Sequence, residues 1–177
     1  MIAPGAADRL DFEAVETTAR RRALAVASRA VEQRLNADHA DHVGPHLRCP
    51  RGHQAHYAGR RDKTFTTALG DMALGRAYYH CEQCEAGFCP RDDALGLAGT
   101  SLSPAVARMN GQAAAMVSFA ETHELLRDLA GVEVATKQVE RSAEALGREI
   151  AEDERRVAEP PTVNEQVMPT MYLGMDG

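Results

Sequence analysis

Tyr78-Tyr79-His80-Cys81-Glu82-Gln83-Cys84-Glu85-Ala86-Gly87 is the stretch that decides the fold of this chain. Two cysteines with two residues between them follow a strand-like run, Ala73 to Tyr79. That spacing lets both thiolates reach one metal ion from a tight turn, and Gly87 lets the chain fold back beneath it. A tetrahedral ion takes four ligands, so two more come from elsewhere. Upstream, Cys49-Pro50-Arg51-Gly52-His53 offers a cysteine and a histidine in a second tight turn. The pattern predicts a zinc ribbon, two ligand-bearing turns joined by a β-hairpin, with zinc held by Cys49, His53, Cys81 and Cys84.

The upstream turn is not a complete C-x-x-C, because Gly52 stands where a second cysteine belongs. His53 supplies an imidazole one residue later, and His56 and Cys89 are the other candidates for the remaining position. Two metal-free arrangements compete with the ribbon. One is a hairpin whose cysteines serve as small buried apolar residues. The other is a redox C-x-x-C at the start of a helix, although no helix signal follows Cys84 closely.

The 177 residues suffice for one or two small domains. Aromatic residues are scarce and tryptophan is absent, so any core leans on alanine, leucine and valine. Four cysteines in a chain of this length are not a secreted disulfide framework. Met1 to Leu10 lacks the basic-then-apolar pattern of a signal peptide, and no run is long and apolar enough to cross a bilayer. These features predict a cytoplasmic protein with reduced thiols and no membrane partner. The net charge of −6 argues mildly against nucleic acid. Between Arg48 and Arg91, however, seven Lys/Arg face four acids, so the ribbon is the basic part of an acidic chain. Arg60, Arg61, Lys63 and Arg76 are its candidate phosphate contacts, since phosphate responds to the local field.

Asp11 to about Asp38 reads as one helix, capped by Asp11. Phe12, Val15, Ala19, Val26 and Ala30 form its apolar stripe, which Leu24, Val31 and Leu35 widen. Arg20, Arg21 and Arg22 read as a solvated face, and the narrow stripe suits pairing with a partner helix. Lys63 to Leu69 and Met72 to Tyr79 read as strands around a Gly70-Asp71 turn. Cys89 to Leu97 reads as a loop. Ser103-Pro104 opens a helix whose buried stripe is Val106, Met109, Ala113, Met116 or Val117, and Ala120, weakened in its middle by Gly111. Phe119 to Ala130 is a further helical segment with Leu125, Leu126 and Leu129 as its core, stopped by Gly131. A last helix runs from about Ala135 to Glu154, with Val139, Ala143, Leu146 and Ile150 on one face.

Helix, glycine-bearing turn and helix form a helix-turn-helix pattern. In a DNA-binding version Lys137, Gln138 and Arg141 reach into the groove. Such helix pairs also occur in all-α domains with no DNA role, and Glu133, Glu140, Glu144 and Glu149 repel phosphate. Pro160-Pro161 ends helical structure, and Thr162 to Pro169 reads as a linker. Met171 to Gly177 reads as a short apolar strand. The expected fold is therefore mainly α with a small β-hairpin zinc ribbon, an α+β arrangement with a helix-turn-helix in its C-terminal half. Its divisions are 1–44 (helical segment), 45–97 (ribbon), 98–158 (helix-turn-helix region) and 159–177 (linker and strand).

Together these pieces resemble one family. The run Thr67-x-Leu69-Gly70-x-x-x-Leu74-x-Arg76-x-Tyr78-Tyr79-x-Cys81-x-x-Cys84-x-x-Gly87 resembles the zinc-ribbon segment of the ISKra-type insertion-sequence transposases. Pro90-x-Asp92-x-x-Leu95-Gly96-Leu97 and Ser103-Pro104 continue the match. Phe119, Leu126, Gly131-Val132 and Val139-x-Arg141 are similar to that family's helix-turn-helix. Tyr172-x-Gly174-x-Asp176-Gly177 resembles the opening strand of its RNase H-like catalytic domain. The resemblance covers about residues 45 to 177, and the ribbon is its specific part.

The resemblance implies an intact enzyme that cuts and joins DNA with three carboxylates around two divalent ions such as magnesium. Asp176 matches the first carboxylate; the other two lie beyond Gly177 in that family's pattern. This chain is then expected to be no enzyme by itself. It is expected to be the part of a transposase that binds double-stranded DNA at transposon ends. Gly52 departs from the paired-knuckle pattern and fits a decaying copy with weakened zinc affinity. A second class is a non-catalytic module that self-associates through its first helix as a homodimer without DNA.

Overall fold

Asp11 accepts a hydrogen bond from the Ala14 N–H at 3.3 Å and so starts the first helix where its side chain predicts. The computed structural model describes residues 11–158. The linker and strand expected in 159–177, and Asp176 with them, lie outside the described residues.

Helix α1 (Phe12–Ala37) leads into four antiparallel strands, β1 (His46–Arg48), β2 (Gln54–Thr67), β3 (Gly70–Cys81) and β4 (Ala86–Phe88), in sheet order β1-β2-β3-β4. The short helix α2 (Pro90–Ala94) follows, then α3 (Pro104–Ala114), α4 (Phe119–Leu125) with a π-helical turn (Leu126–Ala130), and α5 (Thr136–Ala158). The fold is α+β. None of these helices is long and apolar enough to cross a membrane.

The central hairpin is longer than its sequence pattern suggests. Residues 54–62 pair although only Ala55 and Tyr57 among them join a core, because β3 pairs along this stretch and β1 adds its own pairing at 54–56. A register shift between Tyr57 and Arg60, with Gly59 at φ +95°, re-aims the strand. Below the shift Phe65 and Leu74 pack with Leu97 and Leu35. Above it the opposite face buries Ala55, Ala77, Tyr79 and Cys81. Cys89 to Leu97, expected as a loop, contains α2, with Pro90 at its first position.

Strand β4 pairs only with Tyr79–Cys81, so most of the β3 edge has no strand beside it. Side chains close that edge instead. The Ala73 N–H donates to Glu32 at 2.8 Å, and Asn36 Nδ2 donates to the Ala73 carbonyl at 2.8 Å. The Gly75 N–H donates to Asn36 Oδ1 at 2.9 Å, and the Ala77 N–H donates to Asp41 at 2.7 Å. Arg60 and Arg91 donate to the Gly75 carbonyl. Helix α1 and the loop after it therefore occupy the place of a fifth strand, the cover that an open edge needs against foreign pairing. Asn36→Ala is expected to lower stability by about 1–2 kcal/mol by removing two hydrogen bonds at a partly exposed edge. A urea melt checks this; an unchanged midpoint contradicts the edge-cover account.

This use of α1 engages only part of the expected apolar stripe. Phe12, Val15 and Val26 are 77%, 49% and 72% exposed, while Ser28 is buried and Leu24, Leu35 and Asn36 are half-buried. Edge hydrogen bonds, rather than the apolar stripe, decide which side packs. Arg20, expected on a solvated face, donates to the Leu129 and Ala130 carbonyls at 3.0 and 3.1 Å and caps the π-helical turn.

The helical half has its own core of Leu102, Val106, Leu126, Val132, Val134 and Val139. Of the leucines expected there, Leu126 is buried, whereas Leu125 and Leu129 are 38% and 71% exposed. Thr122 takes a core position instead and hides the period from an apolar count. Ser118 and Glu121 form a reciprocal capping box for α4. Gly131, at φ +68°, lets the Val132 N–H return to the Leu126 carbonyl at 3.0 Å. Gly111, expected to weaken α3, is where α5 passes: a Cβ there would lie 2.3 Å from Leu146.

Candidate metal centre

The turn after β1 and the turn after β3 reach the same end of the sheet. In the first, the Gly52 N–H donates to the Cys49 carbonyl at 2.8 Å, and the Cys49 N–H donates to the His53 carbonyl at 2.8 Å. Gly52 sits at φ +84°, a conformation that strains any residue with a Cβ. Gly52 is thus the residue that makes the turn, and His53 completes the donor set one position later. In the second turn the left-handed residue is Glu85, at φ 51°, not Gly87. Gly87 lies in β4 under the Tyr78 ring, where a Cβ would meet the phenol oxygen at 2.0 Å. Its role is close approach of an aromatic ring rather than chain reversal.

The four expected ligands converge. One donor atom each from Cys49, His53, Cys81 and Cys84 lies within 4.8 Å of the others. Cys49 Sγ and Cys84 Sγ are 3.8 Å apart, and His53 Nδ1 is 3.1 Å from Cys84 Sγ. Two sulfurs each bound at about 2.3 Å to a tetrahedral ion stand about 3.8 Å apart, so the sulfur spacing fits such an ion. Cys49 and Cys81 are buried, and His53 and Cys84 are half-buried. The group can hold a metal ion. Cys89 is buried at the start of α2, outside the cluster, and His56 points to the other face of β2.

Burial opposes charging Cys49. The N–H groups of Arg51 and His53, and the thiols of Cys84 and Cys81, more than offset this and hold its pKa below the ordinary thiol value. Cys84 behaves oppositely: burial, then its contacts with Cys81 and Cys49, push it up to about 11. The neighbouring thiols therefore resist being charged together. A cation at the centre would remove the repulsion and let further thiolates form. A column of rings supports the site from below. Tyr57 and Tyr79 lie 5.7 Å apart and Tyr79 and Phe88 5.9 Å apart, so three strands share one aromatic layer.

Three of the four expected phosphate contacts on the ribbon are engaged inside the fold. Arg60 pairs with Asp41 at 3.0 Å, Lys63 donates to the Thr100 carbonyl at 2.6 Å, and Arg76 is buried against Asp92. Arg61 is exposed, with its guanidinium 3.6 Å from the centre of the Tyr78 ring. On α5, Lys137 and Arg141 are exposed and Gln138 is half-buried. Arg108 of α3, which the sequence pattern did not single out, lines the same groove as those three residues. No protein-family model, curated protein or solved structure matches the chain.

Proposed function

We propose that the chain is a zinc-stapled DNA-binding module that serves as the recognition portion of a transposase. Zinc is the ion that three cysteines and one histidine suit best: tetrahedral, thiolate-preferring and with no open coordination position, as in structural sites. Four protein ligands leave no place for a water nucleophile, so the metal's role is structural. Duplex DNA is met by the start of α5 acting as the second helix of a helix-turn-helix. The observation that carries this reading is the exposure of Lys137 and Arg141 on the first turns of α5, with Arg108 beside them. The resemblance to ISKra-type transposases supplies transposon ends as the substrate class.

A DNA titration at low and moderate salt tests the reading. Affinity is expected to fall steeply with salt, and Lys137→Ala and Arg141→Ala are each expected to reduce the salt slope by about 1. Absent binding, or binding indifferent to salt, removes the DNA reading. A second reading has its own observation. The exposed stripe of Phe12, Val15 and Val26 on α1 fits pairing with a second copy. A sizing column that finds a dimer, beside a negative gel shift, would favour that module instead.

A further inference from the structure

The sheet face opposite the metal cluster carries a row of planar side chains that the duplex reading leaves unused. His46 pairs with His56, His56 with His80, and His80 with Gly87. Residues directly opposite one another project to the same face, so three imidazoles stand in line across three strands. The His56 and His80 rings lie 5.8 Å apart, edge to face. Tyr78, two residues from His80, shares this face, and Arg61 covers its ring at 3.6 Å. Arg48 stands two residues from His46 on β1. His46, Arg48 and Arg61 are exposed, and His56, Tyr78 and His80 are half-buried. The carboxylates of the long hairpin, Asp62 and Asp71, pair with Gly75 and Thr66 on the opposite face.

We infer that this face binds single-stranded nucleic acid by stacking its bases, an inference that rests on the nucleic-acid reading above but on a different element. An ordinary solvated sheet face mixes both signs of charge. This one combines cations with flat π-systems, the composition that holds unpaired bases and their phosphates together. Three strands span about 10 Å, the scale on which sheet-based modules stack two or three bases. A paired duplex hides its base faces and offers this surface only phosphates. The metal cluster, directly behind, joins the β1–β2 and β3–β4 turns and so keeps the imidazoles in register.

The test is fluorescence anisotropy on the zinc-loaded full chain with three labelled probes. These are a thymidine strand and a uridine strand of about twelve nucleotides, and a duplex of about twenty base pairs. The double change His56→Ala/His80→Ala is expected to weaken single-strand binding about tenfold while duplex affinity holds, and Arg61→Ala is expected to weaken single-strand binding about tenfold and duplex binding much less. Arg61 is exposed and remote from the ligands, so its variant decides the matter if the histidine pair perturbs folding. A preference for the thymidine or the uridine strand identifies DNA or RNA as the source, and either supports the inference. Duplex binding with no single-strand binding, or single-strand binding untouched by Arg61→Ala, overturns the inference and leaves the duplex reading standing. Binding of neither removes both.

Discussion

Cys81→Ser is expected to strip the protein of its metal and to melt the ligand-bearing end of the sheet. Cys81 is 1% exposed, closes β3 and stands among the other three ligands. The apolar cluster beside it is small: Cys49, Ala55, Ala77, Tyr79 and Cys81, edged by Leu47, Tyr57, Cys84 and Phe88. A core of that size stands to gain most from ligation, which in structural zinc sites is worth about 10–16 kcal/mol at neutral pH. Serine offers a poorer ligand and leaves three donors around an incomplete site. The helical half keeps the separate core built on Val106 and Val139, so its helices should persist. Metal content after dialysis against a chelator, read beside circular dichroism, checks both halves of this expectation. A serine variant that retains its metal and its melting curve would contradict it.

The second large effect is expected at Asp41, which no motif marks. Its side chain is 3% exposed and pairs with Arg60 at 3.0 Å and with Arg91, itself 6% exposed, at 3.3 Å. Arg91 also donates to the Leu35 and Asp38 carbonyls at the end of α1, and to Gly75 on β3. One buried pair thus fastens the end of α1, the edge of β3 and the start of α2. Asp41→Asn leaves Arg91 charged and uncompensated, at an expected cost of about 3–5 kcal/mol. Burial alone would raise the Asp41 pKa. The Ala77 N–H, the Arg60 hydrogen bond and the charges of Arg91 and Arg60 outweigh it and hold the carboxyl below its ordinary 3.8. The stability it contributes is therefore fully present above pH 3.8 and lost as pH falls through the lower folded-state value. Asp41→Asn should flatten that acid limb. Chemical denaturation across the acid range reads it, and an unchanged acid limb would show that Asp41 does not carry it.

What could be read from the residues alone follows from the range over which each signal acts. The ligands were legible because coordination chemistry dictates short spacings within each turn. The bounds of α1 were legible because Asp11 is a local cap. The part Gly52 plays in its turn was not legible, because only the backbone shows the positive φ there. The packing side of α1 was hidden because Glu32, Asn36 and Arg20 work through hydrogen bonds to residues about 40 to 110 positions away. The same distance in sequence separates Asp41 from Ala77 and Arg91. Arg60, Lys63 and Arg76 looked like a basic patch because sequence reports charge without its partner. The histidine row depends on strand register, and no composition count contains register.

The most direct test of the centre is a cobalt titration of the reduced, metal-free chain, followed by visible absorption. The account predicts saturation at one ion per chain, with the intense ligand-field bands of a tetrahedral sulfur-rich site, and their loss when zinc is added. No uptake, or the weak spectrum of an octahedral oxygen-ligated ion, would contradict it.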